Sequence, residues 1–177
     1  NETKTEVQQI PLEFPATVPL HLARRITVRS MSGYTPDMVR QYPENLFAFN
    51  DSALGYGHSG TSCIRGEPNA VGVVTDLLPN DTASTTLSLR HCSLIDRSFQ
   101  QIIRTLLNGD YRCVVLPSDH LRQRSASALP ADAHLRHRVS QLRAIFRDEP
   151  SLTPEVAVRD TREMPAWYSA ALYDGDV

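Results

Sequence analysis

The residue types that could do chemistry concentrate between Asn45 and Asp76. Asn50, Asp51 and Ser52 are followed by Gly55, Gly57 and Gly60, then by Thr61. Asn50 or Asp51 can bind a ribose hydroxyl or a base amine. Glycines allow a close backbone approach, so free amides between Gly57 and Thr61 can hold a phosphate. The same glycines equally suit a long ordered turn that needs positive φ. His58 beside Ser59, with Asp51 nearby, supplies the types for acid–base work, but adjacent residues seldom face each other and no GxSxG elbow is present. His120 beside Asp119 is a second general-base candidate. In Arg65-Gly66-Glu67-Pro68-Asn69 an Arg65–Glu67 pair is expected to close a compact turn. Cys63, Cys92 and Cys113 are odd in number and lack CxxC spacing, which argues against a disulfide framework or zinc ribbon. His91, Cys92 and Cys63 have no recognised ligand spacing, so no metal is expected.

These residues need elements to position them. Leu46–Phe49 reads as a buried strand, Asn50–Gly60 as a polar loop opening into a short helical segment, and Ala70–Thr75 as a second strand. Arg25–Arg29 alternates and reads as a strand. Thr35-Pro36-Asp37 starts a short helix, with Thr35 as its cap. Ser84–Leu89 is a further strand candidate. A long helix is expected from Ser93, with Asp96 completing a capping box, an apolar stripe from Ile95 to Leu107, and Gly109 as its stop. Tyr111–Leu116 is another buried-type strand, and Ala131–Phe146 a second helix. Strands alternating with helices predict an α/β fold with a mixed or mostly parallel sheet. Pro11, Pro15 and Pro19 predict an extended arm over residues 1–22, and suit a disordered leader equally well. Residues 149–177 read as an irregular tail with an aromatic group at Trp167, Tyr168 and Tyr173, around a terminal helix at Ala166–Leu172.

The chain has 177 residues, 41% of them hydrophobic, enough for one domain with a real core. A net charge of −2 gives no global pull toward nucleic acid or membrane, although nucleic acid is left open. No apolar run is long enough to span a bilayer. The first residues do not read as a signal peptide, and a start at Asn1 points to processing or tag removal. The cysteine pattern fits a reducing, cytoplasmic compartment. Lys4 is the single lysine, and an arginine bias of this kind suits either a GC-rich genome or guanidinium recognition of phosphate and carboxylate.

The run Phe47-Ala48-Phe49-Asn50-Asp51-Ser52, the glycine loop, and Ile64-Arg65-Gly66-Glu67-Pro68-Asn69-Ala70-Val71-Gly72-Val73-Val74-Thr75 resemble a family of small bacteriophage and bacterial proteins. Those read FGDN, GxGGQA and IRGEPNAxGIPTK, and are distantly similar to macrodomains, the α/β modules that bind ADP-ribose. The resemblance covers about residues 25–147. It implies a macrodomain-like sheet and a nucleotide ligand, with hydrolysis or removal of ADP-ribose if the chain is an enzyme. The departures are specific. His58-Ser59 replaces Gly-Gly, Gly60 stands at the usual Gln, Val74 at the Pro and Asp76 at the Lys. The second phosphate loop, DGxGTGLA in the family, is here Asp119–Ala126 without glycine. Arginines replace it: Arg122, Arg124, Arg136, Arg138, Arg143 and Arg147 accompany the single acid Asp132 between His120 and Arg147. Their guanidinium groups could contact an anion, an acidic partner or nucleic acid, or form a solvated face.

The expected fold is therefore a three-layer α/β domain over residues 23–148, a macrodomain-like mixed sheet flanked by helices, with the arm (1–22) and tail (149–177) outside it. The expected function is a nucleotide-binding module for an ADP-ribose-like ligand, of phage or bacterial origin, without a cofactor. Its pocket is expected from Asn50, Asp51, Gly57, Ser59, Gly60 and Thr61, joined by Asp119, Arg122 and Arg124. The alternative is a phage-encoded interaction or virion-associated protein. It would bind a host or virion protein through the arm, the arginine-rich helix and the aromatic tail.

Overall fold

A computed structural model describes residues 18–78, 87–118 and 130–148. Most of the arm, the second loop with Asp119, His120, Arg122 and Arg124, and the aromatic tail lie outside the described residues.

The chain runs α1 (Leu20–Arg25), β1 (Thr27–Met31), α2 (Pro36–Gln41) and β2 (Asn45–Ser52), then a short 3-10 helix (Gly60–Ile64) and β3 (Ala70–Asp76). A 3-10 turn (Leu89–His91) leads into α3 (Cys92–Asn108), then β4 (Cys113–Pro117), α4 (Pro130–Ile145) and β5 (Arg147–Asp148). Strand order is β3-β2-β4-β1-β5 and every described pairing is parallel, the purely parallel form of the layered sheet the alternation predicts.

Helices cover both faces, so the central strands β2 (through Phe49) and β4 are buried continuously, whereas β3 at the edge alternates buried and half-buried positions. Along β2, Leu46 and Ala48 pack beneath α3 and α4, while Phe47 and Phe49 pack on the opposite face with α2 and the 3-10 helix. The α3 stripe behaves as its spacing predicts: Ile95, Phe99, Ile102, Ile103 and Leu106 are buried. On α4, Leu135, Val139 and Leu142 do the same. Thr35 caps α2 as expected, accepting a hydrogen bond from the Met38 amide at 3.2 Å.

Three local expectations change. Among the described residues of the expected arm, Leu20 to Leu22 belong to helix α1, which runs on to Arg25, and the strand expected at Arg25–Arg29 forms two residues further on as β1. Proline bars a helix only upstream of itself, and the Pro19 carbonyl accepts from the Leu22 and Ala23 amides at 3.0 Å each. Ser93 and Asp96 do not form the capping box. Ser88 caps the turn before α3, with the Ser88 amide donating to His91 Nδ1 at 3.0 Å, and Asp96 is used elsewhere. The strand expected to end at Leu89 therefore gives way, over its described residues, to this cap and turn. Gly109 does end α3, but with φ −111° it is not left-handed. It is small because a Cβ there would meet the Tyr111 ring at 2.4 Å.

Asn69 ties the two halves of this face together. Its buried Nδ2 donates to the carbonyls of Val39 (2.9 Å), Tyr42 (2.9 Å) and Asn45 (3.0 Å), joining α2, the turn after it and β2. Arg40 on α2 holds Glu67, with Nη2 at 2.7 Å from Oε1.

Candidate functional site

From β2 the chain goes to β3 at one edge, and from β4 it goes to β5 at the other. The β2–β4 pairing stops at Phe47↔Val115, yet β2 runs on to Ser52 and β4 to Pro117. The strand ends thus diverge at the carboxyl edge of the sheet, where ligands of open α/β sheets bind.

Two small clefts open there. One is polar and includes Asn50, Asp51, Ser52, Tyr56, Gly57, Ser59 and Asp76 in its lining. The other is a narrow apolar slot lined by Val73, Phe99, Leu116, Pro117, Leu135 and Val139, with Asn50 and Thr75 at its polar edge. Asn50 is common to both. Its carboxamide makes no hydrogen bond among the described residues, while its backbone amide donates to Thr61 Oγ1 at 2.9 Å.

The glycine loop between them is pinned from within by Arg65. Nε donates to the Gly57 carbonyl at 2.9 Å, and Nη1 donates to the Gly55 carbonyl at 3.0 Å and to Asp51 Oδ2 at 3.1 Å. Nη2 bonds the other Asp51 oxygen. The guanidinium also lies over the Phe49 ring, 5.1 Å from its centroid. The expected Arg65–Glu67 pair does not form: Glu67 is taken by Arg40, and β3 brings Asp51 within reach instead. Gly72 on β3 makes room, since a Cβ there would lie 2.4 Å from Asp51 Oδ2. Asp51 is thereby committed to Arg65 and to the Ser52 amide (2.7 Å), and is not paired with His58.

This latch fixes the direction of the loop's peptides. The carbonyls of Gly55 and Gly57 turn inward to Arg65, and the Tyr56 carbonyl accepts from Ser52 Oγ at 3.1 Å. In a trans peptide the following N–H points opposite to the C=O. The amides of Tyr56, Gly57 and His58 are therefore turned outward, and none has a hydrogen-bond partner among the described residues. Gly55 (φ +71°) and Gly57 (φ +106°) supply the backbone this path requires.

Of the residues expected in the pocket, Asn50, Asp51, Gly57 and Ser59 line one cleft together. Gly60 (φ +58°) and Thr61 begin the 3-10 helix beside it and line neither cleft. Tyr56, Thr75, Asp76, Phe99, Leu135 and Val139 went unselected in the sequence. Thr75 and Asp76 were detectable as the carboxyl end of a strand parallel to β2, whereas the helix residues are indistinguishable from ordinary core.

A second polar cluster lies between α3 and α4. Asp96 accepts from Arg138 Nε at 2.7 Å and contacts His134 Nε2 at 2.6 Å, and Arg138 Nη1 donates to Gln141 at 2.7 Å. Burial pushes the Asp96 carboxyl up, but the bonds and charges of Arg138 and His134 outweigh it and hold it below the usual carboxylate range. Arg143 Nη2 donates to Ser30 Oγ at 2.9 Å, so part of the expected cationic face is turned into the fold. Cys63 donates to the Tyr34 carbonyl at 3.1 Å, and burial raises its thiol pKa. No group of three potential metal-ligating side chains occurs among the described residues.

A family model matches residues 30–139, a span containing the latch and both clefts. The chain belongs to DUF7831, a family of unknown function. The DUF7831 match begins inside β1 and ends inside α4, so it takes in the crossing of the sheet on which the crevice depends. No curated protein and no solved structure matches the chain.

Proposed function

We propose that the chain is a nucleotide-binding module whose ligand is ADP-ribose-like. The observation that carries this reading is the row of outward amides at Tyr56, Gly57 and His58, set beside an apolar slot edged by the Asn50 carboxamide, which makes no hydrogen bond among the described residues. Backbone donors of this kind favour phosphate oxygens. An apolar slot with one donor–acceptor side chain suits a base or nucleoside. The sequence resemblance to macrodomain-like proteins agrees, and Asp119, Arg122 and Arg124 would extend the pocket from the second loop. In this reading Asp51 organises the loop rather than touching ligand. The module would act in the cytoplasm, the host's if it is phage-encoded.

Calorimetric titration with ADP-ribose, NAD, ATP and adenosine tests the proposal. Micromolar binding of ADP-ribose, weakened by Asn50→Ala, supports it. No binding to any of the four refutes it.

One observation favours the interaction-protein reading. Leu54 and Tyr56 are 58% and 55% exposed on the pinned loop, and neighbouring large apolar side chains left in solvent suit a protein contact. On that reading a host or virion partner is lost in the double variant Leu54→Asp/Tyr56→Asp while ADP-ribose binding is absent. Among the described residues no helix is long and apolar enough to cross a membrane.

A further inference from the structure

We infer that Arg65 is the positioning residue of this site, converting the flexible glycine loop into a preset row of donors. The inference rests on the nucleotide reading and adds how the site is built.

A guanidinium that only had to close its own turn would pair with Glu67, two residues on. Arg65 instead crosses to β2, where side-chain exposure is 19% for Arg65 and 15% for Asp51. Ion pairs this buried contribute little net stability, because desolvation offsets their attraction. What the pair does contribute is direction. The planar fork has fixed donor angles, and with Asp51 occupying the Nη1–Nη2 end, the Nε hydrogen and the remaining Nη1 hydrogen reach the Gly57 and Gly55 carbonyls from opposite edges. Two carbonyls held inward turn the Tyr56 and His58 amides outward. Ser52 does the same for the Gly57 amide through the Tyr56 carbonyl. Without the fork, a loop with glycines at 55 and 57 has many alternative paths, and a ligand would have to order it at its own cost. Gly72 belongs to the same device although it lines neither cleft: it leaves space for the Asp51 carboxylate that orients the fork.

The test compares ADP-ribose with adenosine on the full chain and on Arg65→Lys, Arg65→Met and Gly72→Ala. Arg65→Met and Gly72→Ala should each lose about tenfold or more in ADP-ribose affinity, with adenosine affinity changed less than about twofold. Arg65→Lys, a point charge without the fork, should fall between wild type and Arg65→Met. Equal losses for both ligands would mean a structural role only and would overturn the inference, as would ADP-ribose affinity retained in folded Arg65→Met and Gly72→Ala. If wild type binds neither ligand, the nucleotide reading fails, and pyrophosphate then reads the loop directly by amide NMR. Shifts at Tyr56, Gly57 and His58 in wild type that vanish in Arg65→Met would uphold the positioning role. Their absence in wild type would overturn it.

Discussion

Replacing Asn69 should be among the most damaging single changes to this fold outside its apolar core. The side chain is 5% exposed and its amide serves three carbonyls on two elements. An NH₂ group has only two hydrogens, so one is shared between two acceptors. The Tyr42 and Val39 carbonyls keep a second partner in the Asn45 and Tyr42 amides, at 3.0 and 3.3 Å. The loss in Asn69→Ala is thus two hydrogen bonds plus partial burial of unsatisfied oxygens, about 2–3 kcal/mol. For a chain of this size that is roughly 4–12 °C in Tm. Asn69→Asp is the sharper probe. It keeps the shape but aims a carboxylate at three carbonyl oxygens, so at pH 7 it should destabilise more than alanine does. Its folded-state pKa is then raised, so the penalty is present at neutral pH and relieved as pH falls into the range where the carboxyl protonates and can donate one bond. Urea unfolding of both variants at pH 7 and pH 4 measures this. If both variants stay within about 0.5 kcal/mol of wild type, the range of ordinary surface changes, the bracing role is refuted. An Asp variant no worse than alanine at pH 7 would refute the electrostatic step.

The Asp96 carboxyl is held below its usual range, so its contribution is present above the ordinary carboxylate pKa and is lost as pH falls through the depressed folded value. The urea midpoint of Asp96→Asn should accordingly trail wild type at pH 7 and converge with it in strong acid; a constant gap would contradict the pairing with Arg138 and His134. Burial raises the Cys63 and Cys92 thiols, with Asp96 adding to the effect at Cys92, so both should alkylate with iodoacetamide at pH 7 more slowly than a free cysteine, as followed by mass spectrometry. Gly60 has φ +58° with open space around it, so Gly60→Ala should cost about 1 kcal/mol in thermal unfolding from backbone strain alone, and Gly60→Asn less. Equal stability of the alanine variant would mean that the turn relaxes freely.

Much of the fold was legible because its signals are local. The run Leu46–Phe49 and the stripe on α3 need no knowledge of distant partners, and both appear where expected. The Asn50–Gly60 region was recognisable as special from its glycines, although the strand carries on through Ser52 before the loop begins. What the sequence hid depends on tertiary neighbours. Arg65 and Glu67 look like each other's partners until β3 pairs with β2 and α2 presents Arg40. That Asp51 also orients Arg65 is invisible until the space beside Gly72 is known. The block from Ile64 to Gly72 then reads as scaffolding: a core side chain, the loop's latch, a turn glycine at φ +90°, a partner for α2, the carbonyl brace and the space for Asp51.

The strand order also bears on how the chain is made. β1 emerges before the other described strands, but its neighbours are β4 and β5: Thr27 pairs with Cys113 and with Arg147. On a ribosome adding about 5–20 residues per second, several seconds pass between synthesis of β1 and of any strand that can hydrogen-bond to it. β2 and β3 can pair with each other much sooner. During that interval Ile26, Val28 and Met31, all buried in the finished domain, wait without their sheet partners. Among the described strands, β1 is thus the one that waits longest for its sheet partners, exposed meanwhile to chaperones, proteases and other nascent chains.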